Sequence, residues 1–222
     1  MPKPSSALSR VLAVLAVLLI GKVTLSVVIG YREYLPPNFE SDFLLGREPY
    51  FWGAYGWAFY LHLVAGPASL VLGTILVSNR FRRMAPVWHR RLGRVQAACV
   101  LLLLVPSGLW MAWYAATGAV AAAGLGSLAI ATAGCILLGV KAAVGRRFAD
   151  HERWMWRTYL LLCSAVVIRL IGGLATVTGL DALWLYPFST WASWLLPLVV
   201  FEALQLLEPA APRVAAPSGS VS

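Results

Sequence analysis

Five ionisable side chains, His62, His89, His151, Arg169 and Glu202, stand inside or at the edges of long apolar runs, and with them this chain could do chemistry. A charged side chain at mid-bilayer depth costs at least about 2.5–3.5 kcal/mol on insertion scales, so such residues normally face a partner, a polar cavity or an ion path. Arg169 lies 15 residues after Trp154 in one apolar run, with Thr158, Ala165, Gly172 and Thr176 on its face at helical spacing. A stripe of small residues suits close helix packing, and the pattern predicts an Arg169 that points into a helical bundle. His62, followed on one face by Gly66, Ser69 and Gly73, is expected near the same depth. Two cations repel, so that pair requires a neutral imidazole or an anion between them. Glu202 is an acid well inside a run and is expected to reach toward Arg169, with Gln205 and Lys141 as competing partners. His62, Arg169 and Glu202 thus read as an intramembrane polar site that could line a proton or anionic-substrate path; for Arg169 a purely structural hydrogen-bond hub fits equally well. On this pattern Arg169→Leu is expected to disturb the protein more than Arg47→Leu.

His89 and His151 each stand where an arginine-rich loop enters an apolar run. From His89 the helical face continues through Gly93 and Gln96 to Ser107, and from His151 to Arg169 is 18 residues, five turns on one face and about 27 Å along the axis. Both imidazoles can look into the bundle from one level; hydrogen bonding to lipid or loop carbonyls is the plainer alternative.

The elements that must position these residues follow from composition. Hydrophobic residues make up 60% of the 222, charged residues 12%, and the mean hydropathy is +0.76. That excludes a water-soluble globule, in which apolar residues are roughly 45–50%. Six runs, at about 8–30, 53–78, 93–116, 120–145, 154–178 and 188–208, are long enough to cross roughly 30 Å of hydrocarbon and lack the alternation of barrel strands. The expected fold is all-α, an integral membrane bundle of six transmembrane helices forming one domain over 1–208, with a disordered tail at 209–222. Lys3, Arg10 and the apolar run after them resemble a secretory leader, but no cleavage site follows, so a retained first span is expected.

Charge sets the orientation. Arg80, Arg82, Arg83, Arg90, Arg91 and Arg94 lie between the second and third runs with no acid among them, and Arg146, Arg147 and Arg153 lie between the fourth and fifth. Lysine and arginine concentrate in cytoplasmic loops, so these loops and both termini are expected in the cytoplasm, facing anionic headgroups. The net charge of +9 therefore implies lipid rather than nucleic acid. Trp52, Trp57, Trp110, Trp113, Trp184 and Trp191 fall at one set of ends and Trp88, Trp154 and Trp156 at the other, as two interfacial belts. The segment from Tyr31 to Trp52 is expected to be a partly helical element on the outer surface, with a lid over a cavity as the alternative. Cys99, Cys135 and Cys163 read as packing residues. No nucleotide-binding loop, hydrolase triad, HExxH or zinc cluster is present, which argues against soluble-type hydrolysis.

HLVAGPASLVLG at 62–73, WHRRLGRV at 88–95, HERWMWRTYLLL at 151–162 with AVVIRL at 165–170, and the Trp194-to-Glu202 spacing resemble the bacterial membrane family called domain of unknown function 2306. Pro197 departs from the Asn expected there before the late Glu. The resemblance implies a multi-pass inner-membrane protein and no established activity. In layout alone the chain is also similar to b561-type membrane cytochromes, whose axial histidines come from successive helices. That likeness implies a single haem b held by His89 and His151, with Arg90, Arg91 or Arg153 on its propionates. A second haem is not implied, because the fourth run has no His. Two functions stay open: a b-type haem redox protein, and a non-redox transporter, lipid-binding or accessory protein built on His62, Arg169 and Glu202.

Overall fold

A backbone in hydrocarbon has no water to bond, so apolar runs of this length close their hydrogen bonds internally as helices. The computed structural model describes residues 7–41 and 43–207. Six helices are long and apolar enough to cross a membrane: Ala7–Glu33, Glu48–Leu76, Pro86–Trp113, Ala119–Val144, Phe148–Thr178 and Leu185–Leu207. The described residues contain no strand, only an isolated bridge between Tyr34 and Pro37. The expected tail, 209–222, lies outside the described residues.

The third and fifth helices begin six or seven residues before their apolar runs. Pro86 sits in the first turn of the third, where its fixed φ suits a helix and its missing N–H is no loss. The short helix Asn79–Met84 precedes it, capped by the Ser78 side chain, which accepts from the Phe81 N–H at 3.3 Å. Two interruptions matter further along. The third span widens into a π-helical turn at Cys99–Leu104 just before Pro106, which cannot donate to a preceding carbonyl. The fifth divides at Cys163 into Phe148–Leu162 and Ser164–Thr178, with the Val166 and Val167 N–H groups both bonded to the Cys163 carbonyl.

Spans two to five share a core in which Leu70, Val100, Ile136, Tyr159 and Leu162 are buried, and the Tyr159 hydroxyl meets Thr74 Oγ1 at 3.0 Å. Gly139 lets the fifth span close on the fourth: a Cβ there would collide with Met155 and lie 3.2 Å from Trp154 Cβ. Gly124 does the same for the sixth span, whose Trp191 Nε1 donates to the Val120 carbonyl at 3.0 Å. The first span buries no residue in Ala7–Gly30 and stands at the periphery.

The segment between spans one and two has short helical turns at Tyr31–Glu33 and Glu48–Tyr50, and many of its residues are exposed. It folds down as a cap opposite the arginine-rich loops, with Leu44 and Phe51 buried. Phe43 stacks on Phe59, Tyr50 stacks on Tyr114, and the Tyr60 hydroxyl donates to the Tyr34 carbonyl at 2.9 Å. Arg47 is its keystone: 8% exposed, it donates to the Phe43 carbonyl and, at 2.8 Å, to the Tyr114 carbonyl. Aromatic surface too large to leave in water drives this cap together.

Candidate functional site

His89 and His151 line one cavity of about 510 Å³, at the arginine-rich end and enclosed by spans two to five. Each sits in the first turns of its helix, His89 three residues after Pro86 and His151 three after Phe148, which places both rings at one level. His151 Nδ1 lies 2.9 Å from the Gly139 carbonyl. A carbonyl only accepts, so Nδ1 carries a proton, and in the neutral ring Nε2 keeps its lone pair. His89 Nδ1 is buried with no hydrogen-bond partner, and so is Oε1 of Gln96, whose Nε2 donates to the Ser69 carbonyl at 2.9 Å. Gln96 lines the same cavity. Buried polar atoms left unpaired cost about 1–3 kcal/mol each, so two at one cavity mark a space that suits a polar occupant. Gly93 also lines it, and a Cβ there would meet nothing within 4 Å.

Three arginines line the cavity, Arg82, Arg90 and Arg94. Arg82 Nη1 pairs with Glu152 at 3.0 Å, and its Nη2 donates to Asn79 Oδ1 at 2.7 Å. Of the arginines expected here only Arg90 takes part. Arg91 lies over the Trp88 ring at 5.6 Å, and Arg153 lines a separate groove between spans five and six. The misplacement has a simple cause: consecutive residues on a helix point about 100° apart, so Arg90 and Arg91 cannot share a face. Among the described residues no group of three or more His, Cys, Asp or Glu side chains gathers as if for a metal ion.

Of the predicted site, His62 and Arg169 are within electrostatic reach of each other, whereas Glu202 pairs elsewhere. Glu202 instead holds Arg157 in a two-bond pair, Nε to Oε1 at 2.6 Å and Nη2 to Oε2 at 2.9 Å, with the guanidinium 4.5 Å from the Trp154 ring centre. His62 Nδ1 pairs with Ser107 Oγ of span three at 3.2 Å. Arg169 is exposed, and its Nη1 donates to the Ala165 carbonyl of its own helix at 2.8 Å. The helix breaks at Cys163: Thr158, before it, is buried, whereas Ala165, Arg169, Gly172 and Thr176, after it, are exposed.

The model of a family described as "Predicted membrane protein (DUF2306)" matches residues 59–205, about two thirds of the chain. This chain belongs to that family. No curated protein and no solved structure matches it. The DUF2306 region contains both cavity histidines, the Arg157–Glu202 pair and spans three to five entire, while the first span and the Arg47 cap precede it. Sequence reasoning missed Arg82, Arg94 and Arg157 as contributors within or beside the DUF2306 bundle. Arg157 was legible in one respect: it follows Trp154 by three residues, a spacing that on a helix brings a cation over an aromatic face.

Proposed function

We propose that this multi-pass protein lies in a bacterial cytoplasmic membrane, holds one haem b between His89 and His151, and moves electrons at its arginine-rich face. The observation that carries the reading is that both imidazoles line one cavity. Its volume of about 510 Å³ and its mixed lining, mostly apolar with three arginines, suit a flat apolar macrocycle with two carboxylates.

The residues present fit the group. His151, with its proton fixed on Nδ1 by the Gly139 carbonyl, offers Nε2 as a ligand in the arrangement that second-shell carbonyls impose on ligating histidines. His89, whose Nδ1 lacks a partner, offers the other ring. Arg90 and Arg94 provide fork-shaped donors for propionates, and Arg82 adds a third while anchored on Glu152. Haem bound by two histidines supplies one-electron chemistry, and it needs no third protein ligand. The positive-inside bias favours the cytoplasm for this face and for both termini, with anionic headgroups against its loops. The competing reading, a non-redox polar path through His62, Arg169 and Glu202, loses its support because those side chains take separate partners.

Haem content of the protein purified from haem-replete cells tests the proposal. About one haem b per chain is expected, lost on His89→Ala or His151→Ala and kept on His62→Ala. Haem-free protein, or haem indifferent to both cavity histidines, overturns it.

A further inference from the structure

A groove of about 710 Å³ lies between spans five and six at the arginine-rich end of the bundle. One face of each helix walls it, from Ala149 to Leu160 on span five and from Gln205 back to Pro197 on span six. Leu160 is about 18 Å from the start of span five at Phe148, and Pro197 about 15 Å from the end of span six at Leu207. Half of roughly 30 Å of hydrocarbon is the same length, so the groove covers the depth of one leaflet and stops near the mid-plane.

Polarity falls along the groove. Glu152, Arg153 and Gln205 line it near the helix ends, whereas Leu160, Pro197 and Val200 line it at depth. Trp156, between the two sets, is the residue type that an interface of hydrocarbon and headgroups attracts. Glu152 is held by Arg82 at 3.0 Å, but among the described residues no hydrogen bond, ion pair or ring contact holds the Arg153 side chain. The charge left free in the groove is therefore positive. Side chains lean toward the N-terminus of their helix, which on span five turns exposed Arg153 outward, to the headgroup layer. Gln205 on the facing wall adds amide N–H groups.

We propose that this groove seats one anionic phospholipid of the arginine-rich leaflet, with its phosphate on Arg153 and an acyl chain over Leu160, Val200 and Pro197. A transmembrane partner helix would pack across both leaflets, whereas a single-leaflet amphiphile ends where the groove ends. The unpaired guanidinium selects an acidic head over a zwitterionic one. Arg153 does not line the histidine cavity, so the lipid site stands whether or not haem binds there.

Delipidated full-length protein in mild detergent, mixed with equal parts of phosphatidylglycerol and phosphatidylcholine, is read by native mass spectrometry. The wild type should retain phosphatidylglycerol in preference, and Arg153→Gln should reduce that retention roughly tenfold, as expected for losing a charge-assisted hydrogen bond. Val200→Trp, which fills the deep half of the groove, should reduce it with the arginine intact and decides the matter if Arg153→Gln fails to fold. Arg83→Gln, an exposed arginine at the same end and outside the groove, should leave it unchanged. Haem content should be the same in all four proteins. Equal retention of the two lipids by the wild type, or phosphatidylglycerol kept by both groove variants at the wild-type level, overturns the proposal, as does a fatty acid or a second copy of the chain held there in place of phospholipid.

Discussion

Replacing Arg47 by leucine should destabilise this protein more than the same change at Arg169, the reverse of what the sequence pattern predicts. Arg47 is 8% exposed, bonded through Nε to the Phe43 carbonyl and through Nη1 to the Tyr114 carbonyl and, at 3.4 Å, the Tyr50 hydroxyl. Its guanidinium carbon is 4.7 Å from the Phe43 ring centre and 5.7 Å from that of Tyr55. Leucine would leave two carbonyls inside the cap without this donor, at about 1–3 kcal/mol each, and would recover only part of the packing. A net loss of about 3 kcal/mol is expected, which for a chain of this size lowers the melting temperature by about 6–12 °C. Arg169→Leu removes an exposed side chain bonded to its own helix and should change stability by less than about 1 kcal/mol. Arg47→Lys should fall between, because an ammonium cannot reproduce the planar fork. Thermal melting of detergent-solubilised protein, followed by circular dichroism, measures all three. An Arg47→Leu variant that melts within about 2 °C of wild type, or above Arg169→Leu, would refute the keystone role.

Gly139→Val should cost about 1–3 kcal/mol, because the new side chain meets Met155 and Trp154 of the fifth span, whereas Gly126→Ala, into open space, should be neutral or slightly stabilising. Equal melting of the two variants would contradict the close approach of spans four and five. A double-mutant cycle on Arg157→Leu and Glu202→Gln should give a coupling of about 1 kcal/mol, modest because the side chains are 19% and 39% exposed; additive effects would mean that the pair contributes nothing. Reporter fusions at Gly46, Arg83, Gly118, Arg147 and Leu207 should alternate sides, beginning with a periplasmic Gly46. A cytoplasmic Gly46 or a periplasmic Leu207 would invert the proposed orientation.

The six spans were legible because length and hydropathy are local properties, and the shared level of His89 and His151 was legible because each stands at the start of a helix. The fate of Arg169 was not. Its predicted face assumed an unbroken 3.6-residue period from Thr158 to Thr176, and Cys163, where the period breaks, is neither Pro nor Gly. Glu202 found an unforeseen partner because the fifth helix starts at Phe148 rather than 154, which sets Arg157 six residues further in from the helix end. Arg47 looked like an ordinary loop arginine. Its burial depends on Tyr114, 67 residues away, and no periodicity reports such a contact.

The most direct test of the central claim is a dithionite-reduced minus air-oxidised visible difference spectrum of membranes expressing the protein, set beside those of its three histidine variants. Low-spin haem b should give a sharp difference spectrum for the wild type and His62→Ala, and none above the host background for His89→Ala and His151→Ala. A wild-type spectrum indistinguishable from membranes lacking the protein, or one that survives loss of both cavity histidines, would contradict it.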